Sequence, residues 1–441
     1  MLAVSVSGWA QTATSDSKTL APVTVTEKAI APEGKDTLRA TETTIGKGKQ
    51  QLRDIPQSVT VVTEKLINDR NLDTVKEALK MTAGITFLAA EGGEEDIKLR
   101  GFGLQSTGDV FIDGIRDPAF YDRDTFALDC MELLRGSASM LFGRGSTGGA
   151  VNQVTKQPRL INEHEVSTTL GNYNYKRVVG DFNLKTGEDA ALRINAMYTT
   201  ADNNGSGTKL DKNGIAVAYR HGIGTADEIS ASLYYLNNNN GMNYGVPYLR
   251  APGLAASTAQ LLPIDPSNYY GYTSDRNAGE ATIAALTHTH RFNDITELKT
   301  QVRVGKFDRD QRASLIRFAG AALQPGGLAV NQSTFGPNTV LTRNRQNKIQ
   351  TMYTINAQSD LSTKFEALGY KHELLTGVDF SQEKKSVSTA LVAPYFVPAL
   401  PNTTIGRPGD GVSIAENLRT VRESNNFGSN AVGIYVQDII Q

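Results

Sequence analysis

The sequence has little of the three features that would identify a familiar class of protein. A single cysteine, Cys130, in 441 residues rules out an internal disulfide framework. The 45 basic and 46 acidic residues nearly cancel, to a net charge of −1, so we expect no nucleic-acid partner. No run of about 18 apolar residues is present, which excludes a membrane-spanning helix.

The lack of long apolar runs does not exclude a membrane protein. Each strand of a transmembrane β-barrel needs only about 10 residues and alternates in polarity, so the strands are hidden in an average. A mean hydropathy of −0.32 is compatible with such a barrel.

Catalytic and cofactor motifs are also scarce, so we expect neither an enzyme nor a bound cofactor. The sequence has no C-x-x-C, no H-E-x-x-H and no Ser/His/Asp order of a hydrolase. Gly143–Gly148 matches G-x-G-x-x-G, but a β-prone segment follows it instead of a helix, so the glycines indicate tight turns. His288 and His290 share one strand face and could bind a metal, although a place at the membrane interface fits them better.

The first 158 residues divide into three parts. Residues 1–10 are small and apolar and end in an A-x-A-like site, as in a signal-peptide remnant; the alternative is a disordered terminus. Residues 11–50 are polar and extended and contain a β-prone run at 20–26. Residues 51–158 are compact and mixed: strands are predicted at Val59–Val62, Ile97–Arg100 and Val110–Ile112, the last turning at Asp113-Gly114. Helices are predicted after Thr63 and after Asp73 or Thr74.

After Pro158 the pattern changes to long strands of period two. In Arg177–Lys185, Leu192–Thr199 and Glu297–Val304, one face is apolar and the other is polar or charged. The links between such strands alternate in length. Short links are expected near 187–189, 224–227, 293–294 and 360–370, and long ones near 201–213, 237–278, 308–347 and 386–427. A transmembrane barrel has short periplasmic turns and long external loops, so residues 159–441 are predicted to form one.

The number of strands indicates an incomplete barrel. We count about ten strand signals, whereas plugged transporters have about 22 strands. A half barrel would expose unpaired strand edges to lipid. We therefore expect residues 159–441 to be the N-terminal part of an antiparallel barrel whose C-terminal half is missing.

Several motifs before Pro158 together resemble a known family. They are Asp54–Val59, Leu99–Phe102 with its R-G-F element, Val110–Ile115 with its V-x-V-D-G-V pattern, and the glycine-dense Glu132–Pro158. This combination is similar to the plug domain of TonB-dependent outer-membrane siderophore receptors. Ser137 departs from the family, which commonly has proline there. The resemblance implies an α+β plug, with short mixed elements, inside a barrel in the bacterial outer membrane, in contact with its lipid.

The resemblance also implies a partner on the periplasmic side. The run 20–26 looks like a TonB box, which pairs as an added strand with the TonB energy-coupling protein. The residues assigned to the box are Pro22, Val23, Thr24, Val25 and Thr26. The alternative is a plain linker.

Two segments are candidates for ligand binding. In the outward loop of the plug, Arg116 and Arg123 could pair with an anionic ferric chelate, and Phe120 and Tyr121 could stack on its catecholate rings. The alternative is local pairing of the arginines with Asp117, Asp122 and Asp124. A long external loop adds tyrosines and an arginine, which suit a capture surface or equally an aromatic girdle. They are Tyr244, Tyr248, Arg250, Tyr269, Tyr270 and Tyr272.

The function expected from this reasoning is import of a ferric siderophore, with catecholate type as the best match, the iron being carried only inside the siderophore. Another TonB-dependent cargo, such as haem, cobalamin or a glycan, is the first alternative. A non-transporting adhesin or porin on the same barrel is the second, and a porin would need no plug or box. A soluble β-rich enzyme is the third, and the alternating links disfavour it.

Overall fold

The computed structural model describes residues 35–87, 95–104, 108–143, 145, 147–203, 208–250, 253, 255–390, 399–414 and 421–440. The segments assigned to the signal-peptide remnant (1–10) and to the TonB box (20–26) lie outside these residues. Within the described part of the chain, no helix is long and apolar enough to cross a membrane.

The first part of the chain forms small sheets and short helices. Its strands are β1 Glu42–Thr43, β2 Gln50–Gln51, β3 Ser58–Thr63, β4 Ile85–Phe87, β5 Ile97–Leu99, β6 Phe102–Gly103, β7 Val110–Ile112, β8 Ile115–Arg116, β9 Leu128–Arg135 and β10 Gly149–Thr155, and its helices are α1 Glu64–Asp69, α2 Val75–Lys80 and α3 Ser139–Phe142. A five-stranded sheet runs in the order β3-β9-β10-β7-β8, with only β10 and β7 parallel. We call residues 51–155 the plug.

Both predicted helix starts in the plug are confirmed. The Thr63 hydroxyl accepts a hydrogen bond from the Leu66 amide at 3.4 Å. At α2, Thr74 and Glu77 form a reciprocal capping box that satisfies amides at the helix start. Val75, Ala78 and Leu79 are buried on the same side of α2 and join the main plug core.

The predicted turn at Asp113-Gly114 joins β7 to β8 as a tight hairpin. Asp113 and Gly114 both have positive φ, of 49° and 80°, as expected for a two-residue hairpin turn. The Asp113 carboxylate accepts hydrogen bonds from the Thr155 amide at 2.9 Å and from its hydroxyl at 2.7 Å. This ties the turn to the last plug strand, β10.

The rest of the chain forms one large antiparallel sheet in which every long strand pairs with the next one along the chain. The strands are β11 Glu163–Gly171, β12 Tyr175–Lys185, β13 Ala190–Ala201, β14 Leu210–His221, β15 Asp227–Asn240, β16 Arg276–Asn293, β17 Thr296–Phe318, β18 Val340–Ala367, β19 Tyr370–Ala390, the two-residue β20 Thr403–Thr404, which pairs with β18, and β21 Val421–Ile440. The fold class expected from the sequence, an α+β plug followed by antiparallel barrel strands, is confirmed.

The two faces of this sheet have the polarity of a membrane barrel. The predicted apolar face is exposed: Val302 and Tyr198 are 43% and 51% exposed. The predicted polar face is buried: Arg193 and Gln301 are 3% and 7% exposed. A soluble sandwich would bury the apolar face, so this arrangement fits lipid outside and a polar lumen inside.

The alternation of short and long links is present, but two boundaries were wrong. Short turns lie at 186–189, 222–226, 294–295 and 368–369, and longer links at 202–209, 241–275, 319–339 and 391–420. The first link, 172–174, departs from the alternation, because it is short but lies beside the link 202–209. The link expected at 360–370 is strand as far as Ala367, and the link expected at 308–347 is reduced to 319–339. Polar residues such as Asp308, Asp310 and Gln311 suggested a loop there, whereas they continue β17, with Gln311 on the lumen face and the two aspartates on the outward face.

The plug packs against the inward face of the large sheet. Phe126 of the plug stacks on Tyr234 of β15, with ring centroids 5.6 Å apart. The Arg303 guanidinium of β17 donates to the backbone carbonyls of Ile112 and Ile115, at 3.2 and 3.3 Å. Polar barrel side chains therefore hold the plug strands in place from the lumen side.

Candidate functional site

The outward loop of the plug, residues 117–125, carries three of the predicted ligand residues, Phe120, Tyr121 and Arg123. It follows β8 and enters β9 through Phe126 and Ala127, both of which are buried against the barrel wall. The loop is fastened at its end, because the Thr125 amide donates to the Asp73 carbonyl and the Thr125 hydroxyl to the Leu72 carbonyl. Its middle, Ala119–Asp122, forms the tip of the plug.

Arg123 is fully buried inside this loop. Its side chain is 1% exposed and forms ion pairs with Glu95 and Asp117, which are themselves 2% and 0% exposed. It also donates to the carbonyl of Ala119 at 2.8 Å and lies 4.3 Å below the ring of Tyr121. Burial alone would lower the pKa of Arg123, but the attraction of Glu95 and Asp117 outweighs it and raises the pKa. The charged guanidinium therefore joins Glu95 and Asp117 to the loop backbone and stabilises the tip.

This geometry matches the alternative of local pairing in part. Asp117 pairs with Arg123, as that alternative expected. Asp122 and Asp124 do not: Asp122 pairs with Lys212 of β14 at 2.8 Å, and Asp124 with Arg177 of β12 at 2.7 Å. These two aspartates connect the loop to the barrel instead of neutralising the loop's own arginines.

Arg116 is turned back into the plug. Its guanidinium donates to the Gly108 carbonyl and, at 2.8 Å, to the Phe142 carbonyl at the end of α3, and it lies 5.1 Å from the ring of Phe111. Its side chain is 12% exposed. Contact of Arg116 or Arg123 with a ligand stays a prediction, and both guanidinium groups are engaged by partners within the plug in this structure.

The two aromatic residues of the tip have different surroundings. The Tyr121 hydroxyl donates to Asp117 at 2.9 Å, and its ring packs on Phe307, with centroids 5.4 Å apart. Burial raises the pKa of Tyr121 well above its usual value, so the phenol stays neutral. Phe120 is half-buried and lies beneath two cations of the barrel wall, Arg309 at 5.9 Å and Lys385 at 5.5 Å.

Arg309 and Lys385 are candidate ligand residues that the sequence reasoning missed. Arg309 pairs with Gln350 across β17 and β18, and Gln350 pairs with Val387, two residues from Lys385 on β19. Since side chains alternate between faces, Arg309, Lys348 and Lys385 all point into the lumen. The sequence pattern gave no clear signal for them, because both faces of β17 carry polar residues after Val304 and the predicted strand ended there.

The acidic residues near the tip already have cationic or polar partners. Asp308 is on the outward face of β17 with Lys306, its ion-pair partner at 2.7 Å, and so lies outside the lumen. Asp122 is paired with Lys212, as described. On the lumen face near Phe120, the cations Arg309, Lys348 and Lys385 outnumber the buried carboxylate Glu383, which suits an anionic ligand.

The predicted loop residues Tyr244, Tyr248 and Arg250 lie in the long link 241–275. Tyr248 is 49% exposed and Arg250 is also exposed, whereas Tyr244 is half-buried. Tyr270 is buried in a small core with Ile316 and Leu341. Tyr272 is also buried, beneath Arg343, and its hydroxyl donates to the Pro401 carbonyl at 3.0 Å. Of the six residues proposed for the capture surface, these two serve to pack the external links together.

The remaining candidates are placed as follows. Gly149, just after the glycine-rich motif, opens strand β10 and no helix follows, which removes the basis for a dinucleotide site. His288 and His290 lie on the outward face of β16. No group of three or more His, Cys, Asp or Glu within the described ranges is arranged to hold a metal ion.

Comparison with known proteins agrees with this architecture. Residues 51–150 match the family model described as TonB-dependent Receptor Plug Domain. The Catecholate siderophore receptor Fiu of Escherichia coli (strain K12) is 26% identical over 407 residues, covering 90% of this chain and 52% of the relative. The chain spans about half the length of the curated relatives it matches.

Solved structures show the same fold. The closed form of the ferric-catecholate import receptor Fiu from E. coli K12 has a TM-score of 0.78 at 25% identity, covering 91% of this chain and 56% of that one. The siderophore receptor PiuA from Acinetobacter baumannii has a TM-score of 0.78 at 23% identity, with 92% and 58% covered. The chain is thus related to TonB-dependent siderophore receptors, as its sequence motifs indicated, and these relatives support an outer-membrane location.

Proposed function

We propose that the protein is a TonB-dependent receptor that imports a ferric siderophore of catecholate type across the bacterial outer membrane. The observation that carries the proposal is the aromatic tip of the plug, Phe120, lying beneath the lumen-facing cations Arg309 and Lys385. A ferric tris-catecholate is a multiply charged anion with flat aromatic rings. Cations at 5–6 Å around an aromatic ring supply partners for both properties.

The residues of the site take separate roles in this proposal. Phe120 offers a ring for stacking, and Arg309 and Lys385 offer charge from the wall. Arg123 and Tyr121 hold the tip through Asp117, and their own contact with the ligand stays a prediction. The exposed Tyr248 and Arg250 lie farther out and would contact the chelate as it enters.

Import also requires a partner that supplies energy. The run Pro22–Thr26 is proposed to pair with the TonB protein in the periplasm, because a β-prone segment can add to a sheet edge through backbone hydrogen bonds. The similarity to TonB-dependent receptors supports this proposal. The chemistry is binding and release, with no bond in the siderophore made or broken.

The binding site is tested by removing its charges. In the full-length receptor, Arg309→Ala combined with Lys385→Ala should weaken binding of a ferric catecholate about tenfold or more, since each charge-assisted contact contributes roughly 1.5–3 kcal/mol. Lys306→Ala is the matched control, because Lys306 is on the same strand but faces outward. Arg116→Ala in the same assay tests the remaining sequence-based expectation.

The outcomes separate the site from the ligand class. Equal and unchanged affinity for ferric catecholates and ferric hydroxamates in the double variant would reject the site. A loss confined to the hydroxamate chelate would keep the site and overturn the catecholate assignment. A loss equal to that of the Lys306 control would show that the effect is not local to the lumen.

A further inference from the structure

The histidines of this chain share one location that the import function does not explain. The sequence contains five, and all of them lie on barrel strands within the described ranges. Three of them have an exposed apolar residue as a cross-strand partner: His164 is opposite Phe182, His288 opposite Ile229 and His372 opposite Phe365. The set, which we call the histidine belt, is His164, His221, His288, His290 and His372.

The belt lies at the end of the barrel that carries the short turns. His164 is the second residue of β11, His221 the last of β14 and His372 the third of β19. His288 and His290 are within six residues of the end of β16. With about 3.3 Å per residue and a strand tilt near 45°, the belt lies within about 12 Å of the turns along the barrel axis. Short turns mark the periplasmic side, so the belt faces the inner leaflet of the outer membrane.

Most of the belt is paired with carboxylates. Asp227 accepts from His288 Nε2 at 2.9 Å and from His290 Nδ1 at 2.7 Å. His372 Nδ1 lies 2.8 Å from Asp438, and His221 Nδ1 lies 3.7 Å from Asp189. The carboxylates within hydrogen-bond distance, Asp227 and Asp438, fix one ring nitrogen of His288, His290 and His372 as a donor. The other nitrogens of His288 and His290 have no hydrogen-bond partner among the residues that the structure describes, and they are available to a group outside the protein.

Around His288 and His290, the histidines themselves are the side chains whose charge can change. Asp227 is the charged residue that faces the pair from β15. From β17, the cross-strand neighbours are Thr300 and Leu298, which carry no charge. Phe292 packs edge-on against His290 at 4.5 Å. Histidine is the side chain whose charge ordinarily changes between about pH 5 and 8, and protonation would place a second N–H on the nitrogen that faces outward.

We propose that the histidine belt, centred on His288 and His290, binds the phosphate of inner-leaflet phospholipid headgroups, and does so more tightly when the imidazoles are protonated. Phosphate oxygens accept hydrogen bonds from imidazolium, and the flanking Phe182, Phe292 and Phe365 match the boundary between acyl chains and headgroups. The part of the outward face that is farther from the short turns contains no histidine. Its basic side chains, such as Lys306 and Lys384, are lysines that stay charged. The histidines of the outward face are therefore confined to the periplasmic end of the barrel.

This inference rests on the outer-membrane location and not on the identity of the cargo. The test uses the full-length receptor in detergent, titrated with phosphatidylglycerol and followed by native mass spectrometry at about pH 5.5 and about pH 7.5. The binding constant of the natural protein should be about tenfold higher at the lower pH, which is the size of one charge-assisted contact. Phosphatidylcholine, whose choline group carries a compensating positive charge, should show a smaller response.

Variants separate the belt from general lipid binding. His288→Gln with His290→Gln keeps hydrogen-bonding side chains that do not titrate, so it should fold and lose most of the pH response for phosphatidylglycerol. Thr282→Ala, on the same outward face of β16 but farther from the turns, should retain the response. An unchanged pH response in the glutamine variant, or equal responses for the two lipids, would overturn the proposal. Ferric-catecholate affinity should be unaffected in every variant, so failure here and failure of the import proposal are distinguishable.

Discussion

Replacing Arg123 by alanine should open the tip of the plug without dismantling the barrel. The side chain joins Glu95 and Asp117, both almost fully buried, and donates to two carbonyls of its own loop. Its loss removes the ion-pair partner of both buried carboxylates, and Asp117 keeps an electrostatic interaction with another cation, Arg303. Removing one partner of a buried ion pair costs about 3–5 kcal/mol, because the remaining charge stays desolvated.

The effect can be measured as a local opening. At about 1.4 kcal/mol for each factor of ten, the amides of the loop should exchange hydrogen roughly one hundred to several thousand times faster. The Thr125 amide reports directly, since it donates to the Asp73 carbonyl at 3.2 Å and lies two residues from the substitution. Exchange followed by mass spectrometry on peptides spanning residues 119–128 in the full chain would measure it.

An exposed ion pair, Lys65–Asp69, serves as the control for the loss of the buried ion pairs of Arg123. Lys65→Ala removes the i,i+4 pair with Asp69 on the exposed side of α1, at 2.8 Å, and should leave the stability nearly unchanged. If the hydrogen-exchange rate of the Thr125 amide rises no more in Arg123→Ala than in the Lys65→Ala control, Arg123 does not stabilise the tip and the reasoning is wrong.

Three further predictions concern the plug. Thr74→Ala removes the capping box of α2 and should lower the free energy of unfolding of the plug by about 0.5–2 kcal/mol, whereas Thr74→Ser should keep most of it; chemical denaturation of both variants measures the difference. Gly149→Ala places a Cβ against the Leu134 carbonyl at a φ of 137° and should destabilise the plug by about 1–3 kcal/mol, while Gly320→Ala, with open space around it, should be nearly neutral in the same denaturation series. Burial raises the pKa of Glu132 despite its hydrogen bonds, so the folded state holds a proton that the unfolded state has released; stability should fall as pH rises from 4.5 through the raised pKa, and Glu132→Gln should remove that slope in unfolding measured across pH.

Much of the fold could be predicted because local chemistry and the global architecture agree. Thr63 and Thr74 cap helices where their side chains reach the next free amides, and Asp113-Gly114 tolerates the positive φ that a hairpin turn needs. The alternation in Leu192–Thr199 gave the correct face for each residue of β13. Side chains alternate with a period of two whether the apolar face meets lipid or a protein core, so the assignment of faces did not depend on which of the two it meets.

The ends of strands and the pairing of charges could not be predicted. Strands β17 and β18 extend well beyond the membrane thickness, where both faces are polar and the alternation no longer separates apolar from charged residues. Arg123 has Glu95 as its partner, 28 positions away in sequence, and no local pattern specifies that contact. Sequence proximity suggested Asp122 and Asp124 instead, and these reach across to Lys212 and Arg177 of the barrel.

The central claim, energised import of a ferric catecholate, is tested most directly by uptake of radiolabelled iron as a tris-catecholate into cells that carry the full-length receptor. Val25→Pro removes a backbone donor from the proposed TonB box and blocks an added strand. We expect this variant to bind the chelate at the cell surface with unchanged affinity and to import none, while Val25→Thr, which keeps the donor and the β propensity, imports normally. Full uptake by the proline variant, or no uptake of a ferric catecholate by the unaltered receptor, would contradict the account.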